Sequence, residues 1–210
     1  MTDSKIRHAI EALLSILLTL LQNIVYGGYC ISVMTIPLFA YLISLGTAYP
    51  NLERDMNLLL FSKEFVVGRI IALVGLVIFL LSAAQLLRGY AKHVGLVKTG
   101  FYSAVRHPQY TGIIVVTLGL TVMVLTLGNA PQPVSAWLLQ VLGYIILARY
   151  EEWHLERKYG ENYLQYKQQV PFMFPFKCPF KISETLFTIL LSAIVTVVLF
   201  LFPFDSIRFS

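Results

Sequence analysis

A chain of 210 residues in which 57% are hydrophobic and only 13% charged, with a mean hydropathy of +0.72, does not have the composition of an ordinary water-soluble domain. Its length suits one compact bundle in a bilayer, and its net charge of +5 sits beside apolar runs, where cytoplasmic retention accounts for it without nucleic acid. Cys30 in an apolar run, Cys178 in a basic stretch and the scattered His8, His93, His107 and His154 give neither a disulfide framework nor metal-ligand spacing, so no metal is expected.

From Ile6 to Tyr49 the chain is apolar for more than twice the ~20 residues that cross a bilayer, with a break at Gly27-Gly28. Two spans joined by a tight turn are expected, and the run is too long for a signal peptide, so it should stay in the mature chain. In the first span His8, Glu11, Ser15, Thr19, Gln22, Asn23 and Tyr26 share one helical face, which should turn into the bundle, or to the aqueous boundary if this helix lies in the membrane plane. In the second, Pro37 predicts a kink. A polar connection over residues 50–63 leads to a third apolar segment, Glu64 to Leu87, with Arg69 placed to snorkel to the interface.

The stretch GLVKTGFYSAVRHPQYTG, Gly95 to Gly112, is out of character between two apolar runs, and membranes tolerate such backbone only where protein or a wet cavity surrounds it. Pro108 suits the first turn of a helix, where its missing N–H costs nothing, so Arg106 and His107 stand at the lip of that helix. Free amides there, the helix dipole and Arg106 together suit an anion. Leu96, Val97, Tyr102 and Tyr110 offer apolar and aromatic surface for a flat ring, while Gly95 and Gly100 permit turns and close approach. The inventory fits a nucleotide-like ligand with an acidic tail. A basic loop resting on lipid headgroups would not need a His-Pro pair flanked by two tyrosines.

A span from Gln109 to about Gly128 follows, with Gly112, Thr117, Gly119 and Thr121 as small residues that let helices approach. Asn129 to Pro133 reads as a turn, and a fifth segment runs from near Val134 past the membrane edge to Lys158, stopped by Tyr159-Gly160. It carries Arg149, Glu151, Glu152, His154, Glu156 and Arg157 out of the bilayer. Glu151 and Glu152 sit where this helix leaves the membrane, and a carboxylate there, Glu151 above all, suits a bound ammonium or hydroxyl, whereas Glu156 and Arg157 suit ordinary surface pairing. Tyr159, Tyr163, Tyr166 and Val170 form an aromatic face on a short helix expected at the interface. Pro171 to Phe176 reads as an extended apolar cover, and Glu184 to Phe202 as the last span. The fold expected is all-α: a polytopic transmembrane bundle of five or six spans forming one membrane domain over residues 1–210. Within it lie N-terminal spans (6–88), a core (89–175) and a last span (184–202), with the pocket at the cytoplasmic membrane edge.

With both polar clusters in view, the chain resembles the isoprenylcysteine carboxyl methyltransferase family and the related membrane phospholipid methyltransferases. The resemblance rests on residues 95–112 and on EEWHLERKYGENYLQYKQQVPFMFP, residues 151–175, in the family's order and separated by a helical hairpin. It implies bound S-adenosylmethionine, with Gly95, Leu96, Val97, Tyr102, His107, Pro108, Gln109, Tyr110 and Glu151 at the matching positions. Glu152 completes the expected cofactor set, and Glu151 and Arg106 are the expected catalytic positions. It also implies a lipophilic or lipid-linked acceptor. The family's arginine one helical turn before the first glutamate, which grips the acceptor's carboxylate, is Leu147 in this chain. Two other readings remain at this point. An NADPH-dependent membrane sterol reductase shares an RHxxY and KYG pattern, and a transporter or scaffold would need polar spans facing one channel.

Of the 16 Lys and Arg, four lie from Arg88 to Arg106 and six from Arg149 to Lys181, so both segments are expected on the cytoplasmic side. Single cysteines at positions 98 and 167 should then react with an impermeant thiol reagent from the same side. Labelling from opposite sides would rule out a shared pocket.

Overall fold

In a computed structural model, residues 34–51, 57, 59–128, 131–176 and 182–201 are described. The polar stripe of the first expected span, His8, Cys30 and Cys178 lie outside them. The chain divides into two compact units, Met1–Ile36 and Pro37–Ser210, and the long helices from residue 63 onward all lie in the second.

The regular structure of the described residues is helical throughout. α1 (Met34–Ala48) is followed by a 3₁₀ turn (Lys63–Phe65) that runs into α2 (Val66–Ala91), then a short α3 (Phe101–Ala104), α4 (Pro108–Leu127) and α5 (Pro131–Tyr159). α6 (Glu161–Gln169) and α7 (Glu184–Leu201) complete the set. The helices carrying α2, α4, α5 and α7 are long and apolar enough to cross a membrane, while α1 is shorter.

The α2–α4 pair shows how a span packs when both faces are greasy. Val67, Ile70, Leu73 and Val74 of α2 are exposed, as side chains facing lipid are, and its buried positions are Gly68, Gly75 and Ser82, one every second turn. Gly112 and Gly119 of α4 face this stripe. A Cβ at Gly75 would lie 2.4 Å from the Val116 nitrogen and 2.7 Å from the Gly112 oxygen, and one at Gly119 2.4 Å from the Ala72 nitrogen. The obstacles are backbone atoms, so the two helices touch main chain to main chain. The small residues foreseen on α4 have partners on α2 that hydropathy alone does not reveal.

Thr117 and Thr121 do more than save space. The Tyr41 hydroxyl of α1 donates to the Thr117 carbonyl (3.1 Å) and shares a hydrogen bond with the Thr121 hydroxyl (2.9 Å). Trp137 Nε1 of α5 donates to the Ile114 carbonyl (3.1 Å), so α4 is gripped from both sides. On α7 the buried Thr188, Ser192 and Thr196 each return their hydroxyl to a carbonyl four residues back, which satisfies a polar stripe inside an apolar helix.

Three local expectations are corrected. α5 begins at Pro131, not near Val134, because Pro131 and Pro133 occupy the first turn, whose amides need no intrahelical acceptor. Arg69 does not simply snorkel; its guanidinium donates to the Leu60 and Ser62 carbonyls and fastens the entry to α2. The aromatic face of α6 does not lie on the membrane interface. Tyr163, Tyr166 and Val170 are buried and pack with Leu96, Leu155 and Tyr159, because the 95–97 loop folds back onto them. Lys98 Nζ also donates to the Asn162 carbonyl (3.1 Å), so this loop and α6 lie at one end of the bundle.

Replacing Gly75 by Val should destabilise the protein by ~1–3 kcal/mol or more, since only a backbone shift can make room. Gly46→Ala, where a Cβ meets nothing within 4 Å, should leave stability unchanged or slightly higher. Thermal unfolding in one detergent compares the two.

Candidate active site

The site grows from the break between α3 and α4. Gly100 precedes α3 with φ of +60°, a conformation glycine adopts freely, and Gln85 of α2 closes the corner by donating to the Thr99 carbonyl and accepting from the Phe101 amide. Pro108 is the first residue of α4, as its chemistry predicts, and His107 caps the helix. The amides of Arg106 and His107 are already committed. They donate to the Pro171 and Phe172 carbonyls of the strap between α6 and α7, and the Thr111 hydroxyl donates to the Met173 carbonyl (2.7 Å). Phe172 and Met173 are buried, so the expected apolar cover threads into the protein.

Arg106 therefore does not stand open beside an anion site. Its side chain is 1% exposed: Nε lies 3.1 Å from Glu152 Oε1, one terminal nitrogen donates to the Lys167 carbonyl (3.0 Å) and the other pairs with Glu184 of α7. Its flat guanidinium lies over the Phe172 ring, 5.6 Å from the centroid. One buried cation thus joins α4, α5, α6, the strap and α7.

Glu151 and Glu152 are consecutive, roughly 100° apart around α5, and meet different surroundings. Glu152 is 1% exposed and faces cations: Arg106, Arg149 (2.5 Å), Lys167 (3.5 Å) and His107 Nε2 (3.6 Å). The Glu151 side chain is 42% exposed, accepts a hydrogen bond from the Tyr110 hydroxyl, and lies 3.4 Å from His107 Nδ1. His107 stands between the two carboxylates, stacked on Tyr110 (5.7 Å between ring centroids) with the Phe172 ring edge-on (5.3 Å). Burial alone would push its pKa down. Contacts with Glu151 and Glu152 outweigh that and raise it above the ordinary histidine value.

Tyrosines wall the site. Tyr102 is buried, and burial followed by the charge of Glu151 lifts its hydroxyl pKa far above the usual range. The Tyr166 hydroxyl, pushed up to about 12 by burial, donates to the Tyr102 carbonyl (2.6 Å). Tyr166 also belongs to the cluster holding Leu96, which connects the 95–97 loop to the carboxylates. Gly95 accepts from the Tyr159 hydroxyl (2.8 Å), Val97 packs on Gly89, and Gln109 is half-buried one residue into α4. The structure thus gathers Arg106, His107, Tyr110, Glu151 and Glu152, reaches Tyr102 through the charge of Glu151, and sets Gly95, Leu96 and Val97 on the neighbouring corner.

Lys167, Phe172 and Glu184 belong to the same network, and sequence reasoning did not find them. A signal existed only for Glu184: a buried arginine at a helix lip calls for acids, and Glu184 is an acid at the start of a span.

The sequence model of the phospholipid methyltransferase family matches residues 64–162. The segment runs from the 3₁₀ turn before α2 to the start of α6, and so contains Arg106, His107, Tyr110, Glu151 and Glu152 but not Lys167, the strap or Glu184. The chain is also similar to two Arabidopsis thaliana proteins, named protein-S-isoprenylcysteine O-methyltransferase A and B. It is 33% identical to the first over 53% of this chain and 55% of that protein. To the second it is 34% identical, over 40% and 42% respectively. It thus spans about half the length of these curated relatives. No solved structure matches it. The apolar helices and the family together make the chain an integral membrane protein.

Arg106→Met should lower stability by ~3–5 kcal/mol, because Glu152 would lose a buried partner. Arg106→Lys should recover only part of the loss, since one ammonium cannot reach Glu152, Glu184 and the Lys167 carbonyl together. Thermal melts of both variants check this.

Proposed function

We propose that the protein is a membrane methyltransferase that takes S-adenosylmethionine as donor and a lipophilic molecule as acceptor, at a site facing the cytoplasm. The observation that carries the reading is the state of Glu151. A half-exposed carboxylate at the end of a membrane bundle is fixed from behind by the Tyr110 hydroxyl and His107, leaving lone pairs for a ligand. A carboxylate so held suits the ammonium of an amino-acid tail, and the half-buried Leu96 and Val97 with the tyrosine walls suit a flat base. The relatives' names and the matched family favour methyl transfer over a reductase or a transporter.

When bound, the cofactor supplies an electrophilic methyl group on a sulfonium. The protein's task is then to orient and to exclude water rather than to move many protons. Glu151 is the residue we assign to the ligand's ammonium, with Tyr110 and His107 fixing its rotamer. Tyr102, Gly95, Leu96, Val97, Pro108 and Gln109 complete the wall around the donor. Arg106 and Glu152 are assigned a supporting part, because their charges are taken up by each other and by Glu184, Arg149 and Lys167.

The acceptor would approach from the bilayer along α5. Leu147 lies one turn before Glu151 and offers hydrocarbon where a carboxylate would need a countercharge, so we assign a lipophilic acceptor that lacks a carboxylate at its reacting end.

Calorimetry on the purified protein in detergent should show binding of S-adenosylmethionine and S-adenosylhomocysteine. Glu151→Gln should weaken both by ~1–3 kcal/mol, the range for a hydrogen bond to a charged group, with a smaller loss for Tyr110→Phe. Equal affinity in folded Glu151→Gln would remove this carboxylate from the site, and absence of binding by the native protein would overturn the donor.

A further inference from the structure

We propose that Glu184, at the start of α7, is a positioning residue for Glu151 and acts on it through Arg106, Glu152 and His107. The functional half of this proposal rests on the reading of Glu151 given above; the coupling itself rests on geometry.

Five ionisable groups alternate in sign from one side of the bundle end to the other. Glu184 pairs with a terminal nitrogen of Arg106; Arg106 Nε lies 3.1 Å from Glu152; Glu152 lies 3.6 Å from His107 Nε2; and His107 Nδ1 lies 3.4 Å from Glu151. The two ends, Glu184 and Glu151, are 41% and 42% exposed, while the three middle side chains are 5% or less. The three middle charges are little screened by solvent and the two half-exposed ends are screened more, and within the buried part each charge sets how strongly its neighbour is held. Glu184 also stands outside the matched segment of residues 64–162, so it ties the last helix to a site that the family core already contains.

The coupling has a definite sign. Only an imidazolium carries a positive charge with an N–H on both ring nitrogens, and so only that form is attracted to Glu151, 3.4 Å from Nδ1, and to Glu152, 3.6 Å from Nε2, together. The groups facing His107 are Glu151 and Glu152 of α5, Tyr110 of α4, the adjacent Arg106 and the Phe172 ring. Lys167 and Arg149 reach it through Glu152. The two carboxylates overcome the effect of burial and raise the histidine's pKa, so the contacts made by the imidazolium are complete below about 6.5 and are lost as pH rises through the higher native value. Removing the Glu184 charge leaves Arg106 to draw more strongly on Glu152 and takes a negative charge from the neighbourhood. Both effects loosen the proton on His107, and Glu151 would lose its second anchor at a lower pH.

The test is a histidine titration by NMR on the full-length protein in detergent, with isotope-labelled histidine and His107 assigned among the four histidines by a His107→Gln variant. Glu184→Gln should lower the His107 midpoint by roughly half a pH unit, and Glu184→Asp should fall between it and the native protein. The pH above which S-adenosylhomocysteine affinity declines, followed by calorimetry, should move down in step. A merely structural role would lower thermal stability and leave both midpoints in place. An unmoved His107 midpoint in Glu184→Gln overturns the proposal; should that variant fail to fold, an unmoved midpoint in Glu184→Asp does so. A midpoint that moves while the native protein binds no S-adenosylhomocysteine supports the coupling and overturns the cofactor reading instead.

Discussion

A buried guanidinium is unfavourable unless it is paired with opposite charge, and Arg106 organises this end of the protein by meeting that demand with Glu152 and Glu184. Its partners come from α5, α6 and α7, and its ring-like plane rests on the strap. Each partner fixes the element that bears it. The Lys167 carbonyl is among the last groups of α6 and so lacks an intrahelical donor; Arg106 supplies one. The backbone amide of the same residue holds the strap by the Pro171 and Phe172 carbonyls. Side chain and main chain of one residue thus close the bundle from two directions.

Within the bilayer the packing logic is different. Apolar side chains gain little by leaving lipid for protein, so α2 and α4 are joined by close backbone contact at glycines, while the Thr117 and Thr121 hydroxyls return to carbonyls of α4 itself. This rigid pair fixes the start of α4, and with it His107 and Tyr110.

Much of this was legible in the sequence. Spans follow from apolar length, the start of α4 from Pro108, and the end of α5 from Gly160, whose φ is +52°. The distribution of Lys and Arg put the segments bearing His107, Tyr110 and Glu151 on one side, and the resemblance of two separated segments drew them into one site. What stayed hidden was which polar residue faces which. Tyr163 and Tyr166 have the spacing of an interfacial face, and nothing in that spacing says that Leu96 will cover them. Glu184 has the look of an acid at a helix start, where a dipole argument is sufficient, so its pairing with Arg106 depends on tertiary structure alone.

On the function proposed above, the two adjacent glutamates would divide support from recognition on one helix. A carboxylate meant to meet a ligand's cation must keep lone pairs free, yet a free buried carboxylate is costly and a fully exposed one swings between rotamers. Glu151 meets both demands by sitting at the boundary, half in solvent, with a tyrosine hydroxyl and an imidazole behind it. Burial works against a charged imidazole there, and a second negative charge on its far side helps to raise its pKa. Glu152 provides that charge, and a carboxylate 1% exposed must itself be surrounded by cations, hence Arg106, Arg149 and Lys167. The second glutamate is therefore no spare for the first: Glu152 lies on the far side of the imidazole that stands beside Glu151.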